Sequence, residues 1–151
     1  MEYKKATLQE LECIYELVQA TIKTVYPKYY PKEVVDFFCE HHSRDNILTD
    51  IENDVVGVLM ADGRMVGTGC YRENHITRVY VLPEFQGHGH GTYIMQQLED
   101  IIAQEYDKVY LDASLPASQM YEKRGYQTIR HDRWNVENDV VLVYEIMEKN
   151  L

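Results

Sequence analysis

The sequence predicts an α+β domain, a mixed, mostly antiparallel twisted sheet flanked by helices. Three observations point there. Apolar residues change spacing along the 151-residue chain, from helical to alternating and back. Two turn sequences, Asp62-Gly63 and Arg72-Glu73-Asn74, cut the middle of the chain into three short β-rich runs. After the third run comes a loop with glycine at alternate positions (Gly87, Gly89, Gly91) that feeds an amphipathic stretch. No repeat, low-complexity tract or linker interrupts the chain, so residues 1–151 read as one domain.

The elements follow in order. Glu2–Ala6 is a short predicted strand. Thr7-Leu8-Gln9-Glu10 has the form of a capping box, and Leu8, Leu11, Tyr15, Val18, Ile22 and Val25 mark one face of a long helix that ends near Pro27. Pro31 suits the first turn of a second helix continuing over Glu33–His42. Ser43–Asn53 is polar and is expected to be irregular. Val55–Ala61, Met65–Tyr71 and His75–Leu82 are three predicted antiparallel strands joined by the two turns. Pro83 ends the last of them. Behind the glycines Ile94, Met95, Leu98, Ile101 and Ile102 recur at helical spacing, and the helix is expected to run on through Tyr93–Tyr106. Lys108–Ala113 is a strand, Pro116–Arg124 a short helix with Gly125 at its C′ position, and Tyr126–Arg130 and Val140–Met147 are strands joined by the polar segment His131–Asn138. The predicted order is β-α-α-β-β-β-α-β-α-β-β.

Composition narrows the function. Hydrophobic residues make up 45% of the chain, enough for a core, and no run approaches the ~20 apolar residues of a membrane span. The N-terminus lacks a signal-peptide apolar region, so a cytoplasmic location and no membrane partner are expected. A formal charge of −10 argues against a nucleic-acid surface and suits a cationic acceptor. Cys13, Cys39 and Cys70 show no pairing or metal spacing and read as small buried apolar residues. Cys39-Glu40-His41-His42 puts its ligand types on diverging directions with no second cluster, so no metal is expected.

The stretch Val79 to Thr92 carries the chemistry. A strand ends, glycines allow close backbone approach, and a helix begins whose first amides lack partners and whose dipole favours an anion. A diphosphate held by the amides near Gln86–Thr92 competes with a plain β–α turn. Two common phosphate loops do not fit: no Lys stands here for a Walker A loop, and Thr92 sits where a dinucleotide fingerprint needs its third glycine.

A third pattern fits. Gln86, Gly89 and Gly91, with Val81 and Pro83 before them, resemble motif A of the GNAT superfamily, the Gcn5-related N-acetyltransferases. Downstream, Ala117, Tyr121, Glu122, Lys123 and Gly125, with Tyr126 in a Phe position, resemble the same family's motif B. The element order matches over nearly the whole chain. The departures are Ser114 where the family often has Asn, His90 at a usually apolar position, and His88 for a common Lys or Arg.

The resemblance implies the GNAT acyl-CoA N-acyltransferase fold and acetyl transfer from acetyl-CoA to an amine. Cofactor contacts would then fall to the amides and side chains of Gln86, Gly87, His88, Gly89, His90, Gly91 and Thr92, to the splayed strand at Val79, Tyr80 and Val81, and to Ser114, Ser118 and Tyr121. Tyr121 matches the family tyrosine that protonates the departing thiolate. His75 and Glu73 are the base candidates, with Asp112 on the neighbouring strand and a water chain as alternatives. Tyr29, Tyr30 and Trp134 are expected to wall the acceptor pocket, where aromatic rings can enclose a cation. The acceptor is expected to be a small-molecule amine. A protein acceptor and an inactive acyl-CoA sensor are the competing readings, and an exposed edge in the final strands would allow a homodimer.

Overall fold

The computed structural model describes all 151 residues. Seven strands form one sheet in the order β1-β2-β3-β4-β5-β7-β6. These are β1 (Glu2–Lys5), β2 (Val56–Ala61), β3 (Arg64–Arg72), β4 (His75–Val81), β5 (Lys108–Ala113), β6 (Gln127–Asn135) and β7 (Val141–Asn150). The helices are α1 (Leu11–Val25), α2 (Lys32–His41), α3 (Arg44–Glu52), α4 (His90–Ile102) and α5 (Ser118–Lys123). Neighbouring strands run antiparallel except β4 and β5, whose connection passes through α4.

The start of α1 is set by the box at Thr7: the Glu10 carboxylate accepts from the Thr7 N–H at 2.8 Å and from its hydroxyl, and a single 3-10 turn leads into the helix. Leu11, Ile14, Leu17, Val18 and Ile22 then bury one face, each stabilising the fold by about 1.5–3 kcal/mol. They pack with α2, α3 and one sheet face, while α4 and α5 cover the other face with Ile94, Met95, Leu98 and Tyr121. Gly67 and Gly69 let α4 lie close to β3, since a Cβ there would stand 2.7 and 2.8 Å from Ile94 atoms. No helix is long and apolar enough to cross a membrane.

Several expectations need correction. Helix α4 stops at Ile102 rather than running to Tyr106, and Leu8 is exposed in the 3-10 turn before α1 rather than on its buried face. Ser43–Asn53 is mostly helix: the Ser43 hydroxyl accepts from the Asn46 N–H at 3.2 Å, and Ile47 and Ile51 are buried one turn apart. The order is therefore β-α-α-α-β-β-β-α-β-α-β-β. The polar segment after Arg130 continues β6 to Asn135, with Trp134 opposite Leu142 and Asn135 opposite Val141. It is an exposed edge strand, so backbone pairing rather than apolar alternation defines it. Cys13 is exposed on α1 and Cys39 half-buried; only Cys70 is buried.

Candidate active site

The sheet has a gap at its centre. β4 and β5 pair only at His75↔Tyr110 and Ile76↔Leu111, after which they diverge. A bulge also shifts the faces of β4. Cys70 faces Arg78 while the next residue, Tyr71, faces Ile76, so Thr77 is an extra residue. Uninterrupted alternation would put His75 with Val79 and Val81. The bulge instead turns it to the face of Arg78 and Tyr80.

A cleft runs along the gap in two adjoining lobes of about 480 and 420 Å³, which share His41, His42, His75, Arg78, Asp112 and Ser114 on their walls. At one end stands the glycine loop. Gly87 and Gly89 have φ of +78° and +84°, and Gly89 caps α4. Glycine adopts this region without strain. None of the backbone N–H groups from Gly87 to Thr92 has an acceptor in the protein. The loop is tied back by Gln86, whose amide donates to the Val81 carbonyl at 2.9 Å. His88 and His90 donate through Nδ1 to the carbonyls of Gln86 and Phe85, each at 2.9 Å. Both imidazoles thus brace the loop.

In the middle, Tyr121 lies on the wall with its ring against Tyr126 at 5.8 Å. Burial, then the neighbouring Tyr26, raises its phenol well above the ordinary value, so it holds its proton. Ser114 receives a long hydrogen bond of 3.5 Å from the Tyr26 hydroxyl, which also stands 3.2 Å from that of Tyr80.

At the other end His75 and Asp112 meet on adjacent strands, Nε2 to Oδ2, at 3.4 Å. Arg78 is buried beside them; its Nε donates to His42 Nδ1 at 3.1 Å and its Nη2 to Asp50 at 2.8 Å. Burial, then Arg78, holds His42 well below the ordinary imidazole value, and a neutral ring is what acceptance at Nδ1 requires. Trp134 and Phe37, from β6 and α2, approach to 5.4 Å over this lobe, and Trp134 donates to the Tyr144 hydroxyl at 2.9 Å.

A free-amide loop at a helix N-terminus, a split parallel strand pair and a buried tyrosine beside it form a constellation that can be compared with known proteins. A family model described as an acetyltransferase (GNAT) domain matches residues 25–148. The chain belongs to the GNAT acetyltransferase family. The catalytic subunit NAA20 of the N-terminal acetyltransferase B complex of Arabidopsis thaliana is 36% identical over 80 residues, which are 49% of this chain and 44% of that subunit, so less than half of the relative is spanned. A GCN5-related N-acetyltransferase from Rhodopseudomonas palustris superposes with a TM-score of 0.91 at 20% identity, covering 99% of this chain and 95% of that one. The PaiA N-acetyltransferase of Thermoplasma acidophilum, in complex with coenzyme A, gives a TM-score of 0.77 at 21% identity, covering 99% and 98%. At such identity the two structures carry the fold.

Of the positions singled out by the GNAT motifs, the cleft gathers Val79, Tyr80, Val81, Gln86, Gly87, Gly89, Gly91, Thr92, Ser114 and Tyr121, with His75. Trp134 walls the second lobe. The remaining candidates lie off the cleft walls. Glu73 is exposed at the left-handed position of the β3–β4 turn, with φ of +55°. Ser118 bonds the Leu115 carbonyl at 3.3 Å, and Tyr29 is exposed. Tyr30 accepts the Leu115 N–H at 2.7 Å and so anchors the loop before α5 to the connection between α1 and α2. Arg78, Asp50 and Tyr144 were not anticipated. A lone arginine inside an apolar strand was the one available signal for Arg78.

Proposed function

We propose that the protein transfers the acetyl group of acetyl-CoA to the primary amine of a small molecule, by direct attack with both substrates in the cleft. The observation that carries the acceptor class is the roof. Helix α2 and the β6–β7 hairpin touch above the second lobe, through Phe37 and Trp134 at 5.4 Å and Asn138 to Glu33 at 3.5 Å. A roofed aromatic pocket suits a compact cation better than an extended peptide.

The residues present suit the donor. Six amides from Gly87 to Thr92, free of protein acceptors at a helix N-terminus, fit a diphosphate. The unpaired β4 edge beyond Ile76 offers backbone groups to an amide-bearing extended arm. Bound acetyl-CoA supplies an activated thioester carbonyl, and the acetyl group leaves its sulfur for the amine nitrogen. The proton of the incoming ammonium passes to His75 through Nδ1, while Nε2 faces Asp112, which orients the ring. Tyr121, kept protonated by burial, delivers a proton to the departing sulfur, and the second proton shed by the nitrogen as it becomes an amide restores the phenol by way of solvent. Phe37 and Trp134 narrow the access of water to the lobe, which favours transfer to the amine over hydrolysis.

One observation favours a second reading. The plant relative is named an N-terminal acetyltransferase subunit, so a protein N-terminus is the alternative acceptor. The test is melting temperature with acetyl-CoA, then free-thiol release with a panel of small amines and N-terminal peptides. Ligand at a hundred times its dissociation constant stabilises by about 2.7 kcal/mol, a clear shift. A shift followed by release with small amines supports the proposal. Release with peptides alone moves the acceptor to protein. A shift with no release leaves a sensor.

A further inference from the structure

Two arginines on the cleft wall, Arg72 and Arg78, are not used by the reaction above, and only Arg78 is buried. Its side chain is only 3% exposed, yet the residue lines both lobes. With Nε on His42 and Nη2 on Asp50, its Nη1 has no partner, and it is the only buried side-chain polar atom in the chain left so. A guanidinium is a rigid plane, so two fixed bonds set the direction of the third nitrogen. Buried donors are rarely left without acceptors, and an exception calls for a role.

Three elements build this arrangement. The extra residue Thr77 turns Arg78 to the same face as His75. His42, after α2, is held by Gln19, whose amide donates to its carbonyl at 3.0 Å. Asp50 comes from the buried side of α3, and Arg72 reaches its other oxygen at 3.6 Å. Two guanidinium groups therefore share one carboxylate beside a neutral histidine, which leaves a local excess of positive charge. His75 stands on the same face of β4 three residues before Arg78, with Asp112 beside it on β5. His41 shares the walls of both lobes with these groups. The wall thus carries a cationic group, Arg78, and an anionic one, Asp112.

The geometry points to an acceptor that carries a carboxylate a few bonds from its reactive amine. The Arg78 guanidinium, short of one partner, attracts the carboxylate, while the amine is directed to His75 and Asp112. Arg78 is then a specificity-determining residue, and the substrate class narrows from amines to amino-acid-like amines. The inference rests on the cleft being the acceptor site of an acetyltransferase. The carboxylate can belong to a free amino acid or to an acidic side chain near a peptide N-terminus.

The test uses the full chain, acetyl-CoA and thiol release with matched acceptors. Phenylalanine is compared with phenethylamine and lysine with cadaverine; the peptide arm compares Ala-Glu with Ala-Gln. The carboxylate-bearing member of a pair should show a kcat/KM roughly tenfold higher or more, as expected when a buried donor is otherwise left unpaired. The ratio should collapse towards one in Arg78→Gln and fall in Arg78→Lys, whose single ammonium is drawn to Asp50. Melting curves with acetyl-CoA establish that each variant is folded; if neither is, the wild-type ratio decides. Preference in the free amino acids or in the peptide pair supports the inference and names the source. A wild-type ratio near one, or a ratio unchanged in both folded variants, overturns it while leaving the acetyltransferase reading intact. No thiol release with any acceptor overturns both.

Discussion

His75 Nε2 lies 3.4 Å from Asp112 Oδ2, with the imidazole stacked on Tyr110 at 4.3 Å and an interplanar angle of 9°. The pair exists because β4 and β5 run side by side at just this end of the gap. If it removes the acceptor proton, Asp112→Asn and His75→Ala should each lower kcat/KM for the amine roughly a hundredfold or more. The acetyl-CoA-induced rise in melting temperature should persist in both. Turnover within about twofold of wild type in both would assign the proton to water.

Tyr121→Phe separates acid catalysis from packing. The ring remains against Tyr126, so the fold and the wall of the cleft are retained. The turnover number should drop about a hundredfold, with acetyl-CoA affinity changed by much less. Parallel losses in affinity and turnover would instead make Tyr121 a packing residue.

Stability should decline on mild acidification. Burial, then the charges of Arg78 and His41, depresses His42 from 6.5, and His41 is depressed in the same direction by burial and then Arg78. The unfolded chain takes up these protons first. The contribution is therefore complete above about pH 6.5 and is lost as pH falls below it towards the folded values. Melting temperature should drop from about pH 7 to about pH 5, and His42→Gln, which can still accept from Arg78 Nε but cannot titrate, should flatten the drop. An equal slope in the variant would locate the sensitivity elsewhere.

Glu99 anchors the opposite face. Its buried carboxylate accepts from Arg124 at 2.8 and 2.6 Å and from the Tyr126 hydroxyl at 2.9 Å, with Lys149 at 3.3 Å. Burial alone would raise this carboxyl, but the Arg124 and Tyr126 bonds leave it lowered. Removing one member of such a group strands the others: Glu99→Ala should cost about 3–5 kcal/mol, roughly a 10 °C fall in melting temperature. A loss below about 1 kcal/mol in denaturant unfolding would mean that Arg124 and Lys149 relax into solvent.

What could be read from the chain was what is local in it. The Lys108–Ala113 strand appears at those residues, and the glycine loop feeds α4 as its spacing implies. Helix α3 was hidden because Arg44, Asp45 and Asn46 make its first turn polar, leaving only Ile47 and Ile51 to mark its buried side. The outer half of β6 carries no apolar alternation because every residue in that strand is exposed. The acceptor lobe was the least legible part. His75 joins Asp112, and Arg78 joins Asp50 and His42, through strand pairing, a bulge at Thr77 and helix packing over long sequence separations. None of these leaves a local pattern.

The divergence of β4 from β5 has a further consequence. Past Ile76 each strand presents a bare row of backbone donors and acceptors, the feature that elsewhere lets stray chains add to a sheet and seed aggregates. Here the bare rows face one another inside the sheet, with β3 and β7 already paired to their outer sides, so neither is an outer edge open to another molecule. A hazard of β architecture is thereby moved from the rim of the sheet to its interior, set before any side chain is consulted.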